Sequence, residues 1–239
     1  CIEFDPALRW IDVMNDLAFL LMDLLAHGRR DLAFGVLDAY LEVSGDHDGL
    51  AVLPLFMLYR ALVRALVYAL RAAAHVPGNG HTAADYLRLA ERLAEPGVPR
   101  LLVMHGLPGS GKTRVSQQLL ERAGAVRLRS DVERKRAAGL AALADSKAVG
   151  DLYGAADTEA TYARLVALAR GALEAGYPTI VDAAFLRREQ RDRMRALAAR
   201  MQVPFAILDC QAPIAVLRER VRERRAARAD ASEADEAVL

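Results

Sequence analysis

Gly106-Leu107-Pro108-Gly109-Ser110-Gly111-Lys112-Thr113 lies between a short apolar run, Leu101–His105, and a helical pattern that begins near Lys112. The eight residues match GxxxxGK[ST] at every fixed position. Phosphate binding demands these residue types. Glycines let successive backbone N–H groups turn inward and approach the oxygens of an anion. The helix that follows adds its positive N-terminal end. Lys112 would reach the β- and γ-phosphates of ATP, and Thr113 would ligate Mg²⁺. The candidate nucleotide-binding set is therefore Gly106, Leu107, Pro108, Gly109, Ser110, Gly111, Lys112 and Thr113. The competing view, a chance match in a glycine-rich loop, is weakened by the strand-like and helix-like flanks.

Strand and helix patterns alternate outward from this loop. Ala125–Arg129, Pro178–Asp182 and Pro204–Asp209 read as further strands. Helices are expected at about Lys112–Ala123, Asp157–Gly176, Arg187–Met201 and Pro213–Arg225. Such alternation predicts a parallel sheet covered by helices, and with the loop an α/β P-loop NTPase; a sheet order like that of nucleoside monophosphate kinases is the further expectation, which the resemblance given below implies. The strand ending at Arg129 is expected to lie beside the P-loop strand.

Upstream the pattern is all-α. Ile11, Met14, Leu17, Ala18, Leu21, Leu24 and Leu25 recur at helical spacing, Leu32–Val43 repeats it, and a third helix runs from Leu50 to Ala74. Leu50–Leu70 is the most apolar stretch, and its Arg60 and Arg64 favour a buried helix over a membrane span. Val76-Pro77-Gly78-Asn79-Gly80-His81 and Glu95-Pro96-Gly97-Val98-Pro99 break the chain on either side of one more helix. The expected division is 1–76, a linker 77–99, and a P-loop domain 100–239.

Lys and Arg number 32 against 31 Asp and Glu, for a net charge of +1, which argues against a general polyanion binder or a nucleic-acid partner. Two cysteines make no disulfide framework and fit a reducing compartment, so a cytoplasmic location is expected. His27, His47, His75, His81 and His105 show no metal spacing. The chain opens on Cys1 without Met and closes within a helical pattern, as a fragment of a longer protein would.

Three constellations follow the loop. Asp131 comes just after a strand, where open parallel sheets place their ligand crevice. It is a candidate base for an attacking hydroxyl; otherwise Ser130 or Asp131 caps the next helix. Arg134, one turn on, would touch an anionic acceptor or stand as a solvated arginine in Glu133-Arg134-Lys135-Arg136. Thr179-Ile180-Val181-Asp182 is an apolar strand ending in a carboxylate, so Asp182 would hold Mg²⁺ or serve as a simple turn residue. Arg218, Arg220, Arg222, Arg224, Arg225 and Arg228 crowd one helix and its exit. Either one or two act on ATP, Arg224 first, or the helix presents a basic face balanced by Glu219 and Glu223.

GLPGSGKT, RLRSDVERKR, TIVDAAFLRREQR and LDCQAPIAVLRERVRERRAARADASEAD make residues 100–239 resemble the predicted P-loop kinases of bacteria with AAA_33-type ATP-binding domains. The resemblance implies that Asp131 sits at the acceptor hydroxyl, as in related polynucleotide, gluconate and chloramphenicol kinases. It also implies that Arg220 and Arg224 belong to a lid. CIEFDPALRWIDVMNDLAFLLMDL is similar to the C-terminal helices of aminoglycoside-phosphotransferase-like domains, often fused ahead of such kinases. That family's metal-binding Asp would immediately precede Cys1 and its HxD-type loop would lie earlier, so no phosphotransferase activity of their own is assigned to residues 1–76. The expected whole is a kinase moving the γ-phosphoryl group of Mg·ATP to a hydroxyl of a small molecule or nucleotide. Lys112, Asp131 and Arg224 would be catalytic, Thr113 and Asp182 metal-holding, and a domain N-terminal to this piece an intramolecular partner. The rivals are an ATPase and a non-catalytic nucleotide sensor of the fused domain.

Overall fold

The computed structural model describes residues 10–76, 80–144, 152, 154–227 and 231–232, without the side chains of 224–227. The first helices are α1 (Val13–Ala26), α2 (Arg30–Ser44), α3 (Leu53–Ala73) and α4 (Ala83–Ala94). Local chemistry sets their ends. Asp12 caps α1 by accepting from the Met14 N–H at 2.8 Å. Gly45 closes α2 at φ +72°, where a side chain would be strained. Thr82 and Asp85 form a reciprocal capping box at the start of α4.

The expected strands and helices of the α/β part are present, with ends within a few residues of the sequence reading. They are β1 (Leu101–His105), α5 (Lys112–Ala123), β2 (Val126–Arg129), α6 (Ser130–Ala137), α7 (Ala155–Glu174), β3 (Thr179–Asp182), α8 (Arg188–Met201), β4 (Phe205–Asp209) and α9 (Ile214–Ala227). The four strands are parallel in the order β2-β3-β1-β4. One expectation is corrected here. β2 is not beside the P-loop strand, because β3 lies between them; the aligned register sets Arg129 opposite Asp182.

Side chains alternate across the sheet. Leu101, Val103, Leu128 and Val181 join the main core with α7, α8 and the N-terminal helices. Met104 and Ile180 pack on the other face with Leu120 of α5 and Phe34 of α2. Helix α3 buries Leu53, Met57, Ala61, Ala65 and Tyr68, while Leu55, Tyr59, Leu62, Leu66 and Leu70 face outward. The buried helix expected from this apolar stretch is buried on one face only. By length and composition α3 could cross a membrane. Two of its arginines are tied to the helical layer, Arg60 to the Asn15 carbonyl and Arg64 to Asp23.

Helix α2 fastens this layer to the sheet. Arg30, at its N-terminus, donates to the Ala123 carbonyl at 2.6 Å, beside a glycine, Gly124, whose Cβ would strike it. Near its C-terminus, Arg136 of α6 donates to the Leu41 and Glu42 carbonyls, a cation meeting the negative end of a helix. Between these, Arg127 forms a buried ion pair with Asp38 at 2.6 Å, with side chains 4% and 7% exposed.

Candidate functional site

The loop between β1 and α5 is shaped by positive-φ glycines, Gly106 at +139°, Gly109 at +79° and Gly111 at +92°. A Cβ on Gly106 would lie 2.3 Å from the Cys210 carbonyl oxygen, and one on Gly109 would lie 2.8 Å from that of Leu217. Only glycine fits where the loop passes against the chain after β4 and against α9. Gly111 is the N-cap of α5 and supplies no side chain, so the first amides of this helix point into the loop without a capping side chain. Ser110 Oγ is buried and has no hydrogen-bond partner among the described residues. Lys112 Nζ turns onto the loop itself, donating to the Gly106 and Leu107 carbonyls at 2.7 and 2.8 Å. The first amides of α5, left without a side-chain cap, an orphaned hydroxyl and an ammonium at one cradle fit a polyphosphate.

At the end of β3, Asp182 is buried and accepts from Ser116 Oγ at 3.2 Å and from the Thr113 hydroxyl. Burial pushes its carboxyl above the usual carboxylate range, against the pull of Arg129, Thr113, Arg127 and Lys112. Among the described residues no three His, Cys, Asp or Glu side chains gather as a metal cage. Mg²⁺ usually takes one or two carboxylates and completes its shell with phosphates and water. Thr113 and Asp182, two hard oxygen donors beside a phosphate cradle, fit that habit.

Asp131 lies in the first turn of α6, with Arg134 Nη1 at 3.6 Å. The capping reading is corrected: Arg129 holds the N-cap position of α6 and makes no side-chain cap, so neither Ser130 nor Asp131 is the cap. The solvated reading of Glu133-Arg134-Lys135-Arg136 is also corrected. Glu133 and Lys135 are buried, and Glu133 accepts from Arg136 and from Arg164, the latter at 2.6 Å. Arg134 is only 10% exposed. Tyr162 of α7 feels the charges of both Arg134 and Asp131, and its hydroxyl accepts from the Phe185 N–H at 3.1 Å. Phe185 is buried at φ +49°, with its ring edge-on to Tyr162 at 5.2 Å.

Helix α9 seats Leu217 and Val221 near the loop. Arg220 Nη1 donates to the Gly109 carbonyl at 3.3 Å. Arg224 falls on α9, but its side chain lies outside the described residues. The structure thus brings Gly106–Thr113, Asp182 and Arg220 together, and sets Asp131 just past the strand that neighbours Asp182.

Sequence reasoning assigned no role to Ser116, Arg127, Arg129, Asp38 or Glu42. Arg129 Nε lies 3.8 Å from Asp182 Oδ2, and its Nη1 lies 3.2 Å from Glu42 Oε1. A signal was available in the two arginines at alternate positions of a short strand. Same-face charges in a doubly covered sheet need buried carboxylate partners.

Uncharacterized proteins of Mycobacterium bovis and Mycobacterium tuberculosis are 31% identical to the chain over 234 residues, 97% of its length. The chain spans about half the length of these curated relatives, 47%. Among solved structures, an APS kinase of Mycobacterium tuberculosis in complex with AMPPNP and APS is 26% identical, covering 56% of this chain and 75% of its own, with a TM-score of 0.42. A gluconokinase from Sinorhizobium meliloti is 22% identical, covering 54% and 67%, with a TM-score of 0.39. The AAA_33 family model, described as an AAA domain, matches residues 101–239. More than half of the chain lies in that match, and the protein belongs to the AAA_33 family.

Proposed function

We propose that the protein is an ATP-dependent phosphotransferase that moves the γ-phosphoryl group of Mg·ATP to a hydroxyl of a small molecule or nucleotide. The observation that carries the reading is the pairing of a glycine cradle holding Lys112 with a carboxylate, Asp131, at the end of the strand beside Asp182. In this reading the loop amides and Lys112 bind the β- and γ-phosphates, and Arg220 and Arg224 close over them. Thr113 and Asp182 hold Mg²⁺, which when bound neutralises charge between the phosphates. Asp131 orients the acceptor hydroxyl and takes its proton. Tyr162 and Phe185 shape the wall beside it, and Arg134 favours an acceptor that carries negative charge.

The reading keeps three segments, 1–76, a linker 77–99 and the P-loop domain 100–239. The first is a helical remnant of an aminoglycoside-phosphotransferase-like domain, and its N-terminal neighbour is an intramolecular partner. Incubation with γ-labelled ATP and a panel of sugars, nucleosides, aminoglycosides and sulfonucleotides tests the assignment. Label on an acceptor, lost in Asp131→Asn, is the expected result. Release of free phosphate at an equal rate with and without every acceptor favours an ATPase. Tight ATP binding with no turnover favours a nucleotide sensor, and either result sinks the kinase reading.

A further inference from the structure

We propose that Glu42, on helix α2 of the helical layer, sets how far Arg129 neutralises Asp182, so that this layer tunes divalent-cation binding at the phosphate site. The inference rests on the reading of Asp182 as a metal-holding carboxylate. Among the described residues Arg129 reaches two carboxylates from different layers, with Glu42 Oε1 at 3.2 Å from Nη1 and Asp182 Oδ2 at 3.8 Å from Nε. The shorter contact is the one away from the phosphate site. The same Glu42 oxygen lies 3.3 Å from Arg127 Nη2, and Arg127 is anchored by Asp38. Arg127 Nη1 also lies 3.5 Å from Ser116 Oγ, the hydroxyl that donates to Asp182. Two α2 carboxylates thus hold two guanidinium groups beside the metal-site carboxylate.

The consequence is electrostatic. A cation at Asp182 competes with the Arg129 charge, and in this buried setting a neighbouring charge counts for more than in water. Glu42 draws Arg129 outward and leaves the Asp182 oxygen accessible to the metal. Glu42 is a quarter exposed whereas Asp182 is buried. By linkage, a cation at Asp182 must in turn strengthen the Glu42–Arg129 contact. Arg129 and Glu42 are positioning residues in this account and touch no reacting atom.

The test measures binding rather than turnover. A fluorescent N-methylanthraniloyl-ATP is held at fixed concentration and MgCl₂ is titrated. Glu42→Gln is expected to raise the Mg²⁺ midpoint by on the order of five-fold, the low end of a typical coupling between sites. Arg129→Gln alone should lower the midpoint, and the double variant should lose the Glu42→Gln increase. A purely structural role predicts a lower melting temperature with an unchanged midpoint, and that result overturns the proposal. So does a Glu42→Gln shift that survives intact in the Arg129→Gln background. If Glu42→Gln does not fold, an unchanged midpoint in Arg129→Gln is decisive against it. Asp182→Asn separates the two layers of argument: if it leaves the Mg²⁺ dependence intact, the metal reading itself fails and this inference falls with it.

Discussion

Removing one partner from the Arg127–Asp38 pair should be costly, and the cost should depend on which partner is lost. Asp38→Asn keeps volume but deletes the charge, leaving a guanidinium whose side chain is 4% exposed. Arginine cannot shed its proton, so the charge stays in the dry interior. Breaking a buried pair this way costs about 3–5 kcal/mol. Glu42, 3.3 Å from Arg127, remains as a second partner and places the value near the low end. About 3 kcal/mol corresponds to a melting-temperature loss of roughly 6–12 °C for a chain of this size. Arg127→Met should cost less. It leaves Asp38, whose carboxyl burial already pushes above the usual range, and that group can take up a proton. The double variant Asp38→Leu with Arg127→Met should recover to within about 1 kcal/mol of the parent, since apolar packing replaces a desolvated pair. Thermal melts at pH 7 by circular dichroism check all three. An Asp38→Asn protein melting within about 2 °C of the parent refutes the argument, as does a larger loss from Arg127→Met than from Asp38→Asn.

Further outcomes are expected at the site and away from it. Lys112→Ala should weaken ATP binding and turnover sharply, since it deletes the charge aimed at the β- and γ-phosphates; calorimetry matching the parent would remove the loop assignment. Asp131→Asn should lower single-turnover phosphoryl transfer by about 10²–10⁴-fold with ATP affinity nearly intact, and because Asp131 does not cap α6 its melting temperature should hardly move. His47 is buried, and burial lowers its pKa, helped by Arg136 and Arg164 nearby. The unfolded chain therefore takes up this proton first, so stability present above about pH 6.5 is lost as pH falls through the lower folded value. Melting temperatures of the parent should drop more between pH 7 and 5.5 than those of His47→Gln, and equal slopes would exclude the histidine as the source.

Much of the α/β part was legible because its signals are local. An apolar run, a glycine loop and a helical period fix β1, the cradle and α5 without any long-range knowledge. The α/β class and its parallel sheet agreed with the expectation, yet the adjacency of β2 to β1 was misread. Pairing is decided by how crossover helices pack, and nothing near Val126–Arg129 encodes the β3 strand that separates them. The cap of α6 was misread for a related reason. Ser130 has capping chemistry, but Arg129 holds the N-cap position of α6 and makes no side-chain cap, which leaves Ser130 as the first helical residue. Partners as distant in sequence as Arg127 and Asp38 leave only the faint trace of an alternating charge in a strand. Helix α3 misled by composition, since an apolar content high enough for full burial coexists with an exposed outer face.

The sheet order also bears on the order of events during synthesis. β1 is flanked by β3 and β4, and its last residue, His105, meets Asp209, which lies 104 positions further along the chain. At ribosomal speeds of about 5–20 residues per second, β1 waits roughly 5–20 s for its second neighbour. Helices α1 to α4 face no such delay, because Tyr68 stacks on Tyr86 and Tyr86 reaches Asp23 within one contiguous stretch. This helical layer can assemble first and present Asp38 and Glu42 as a ready surface to the emerging β2. A nascent chain stalled before β4 would therefore hold an ordered helical layer beside an unpaired edge of β1, and that is the stage at which strand-capturing chaperones have something to protect.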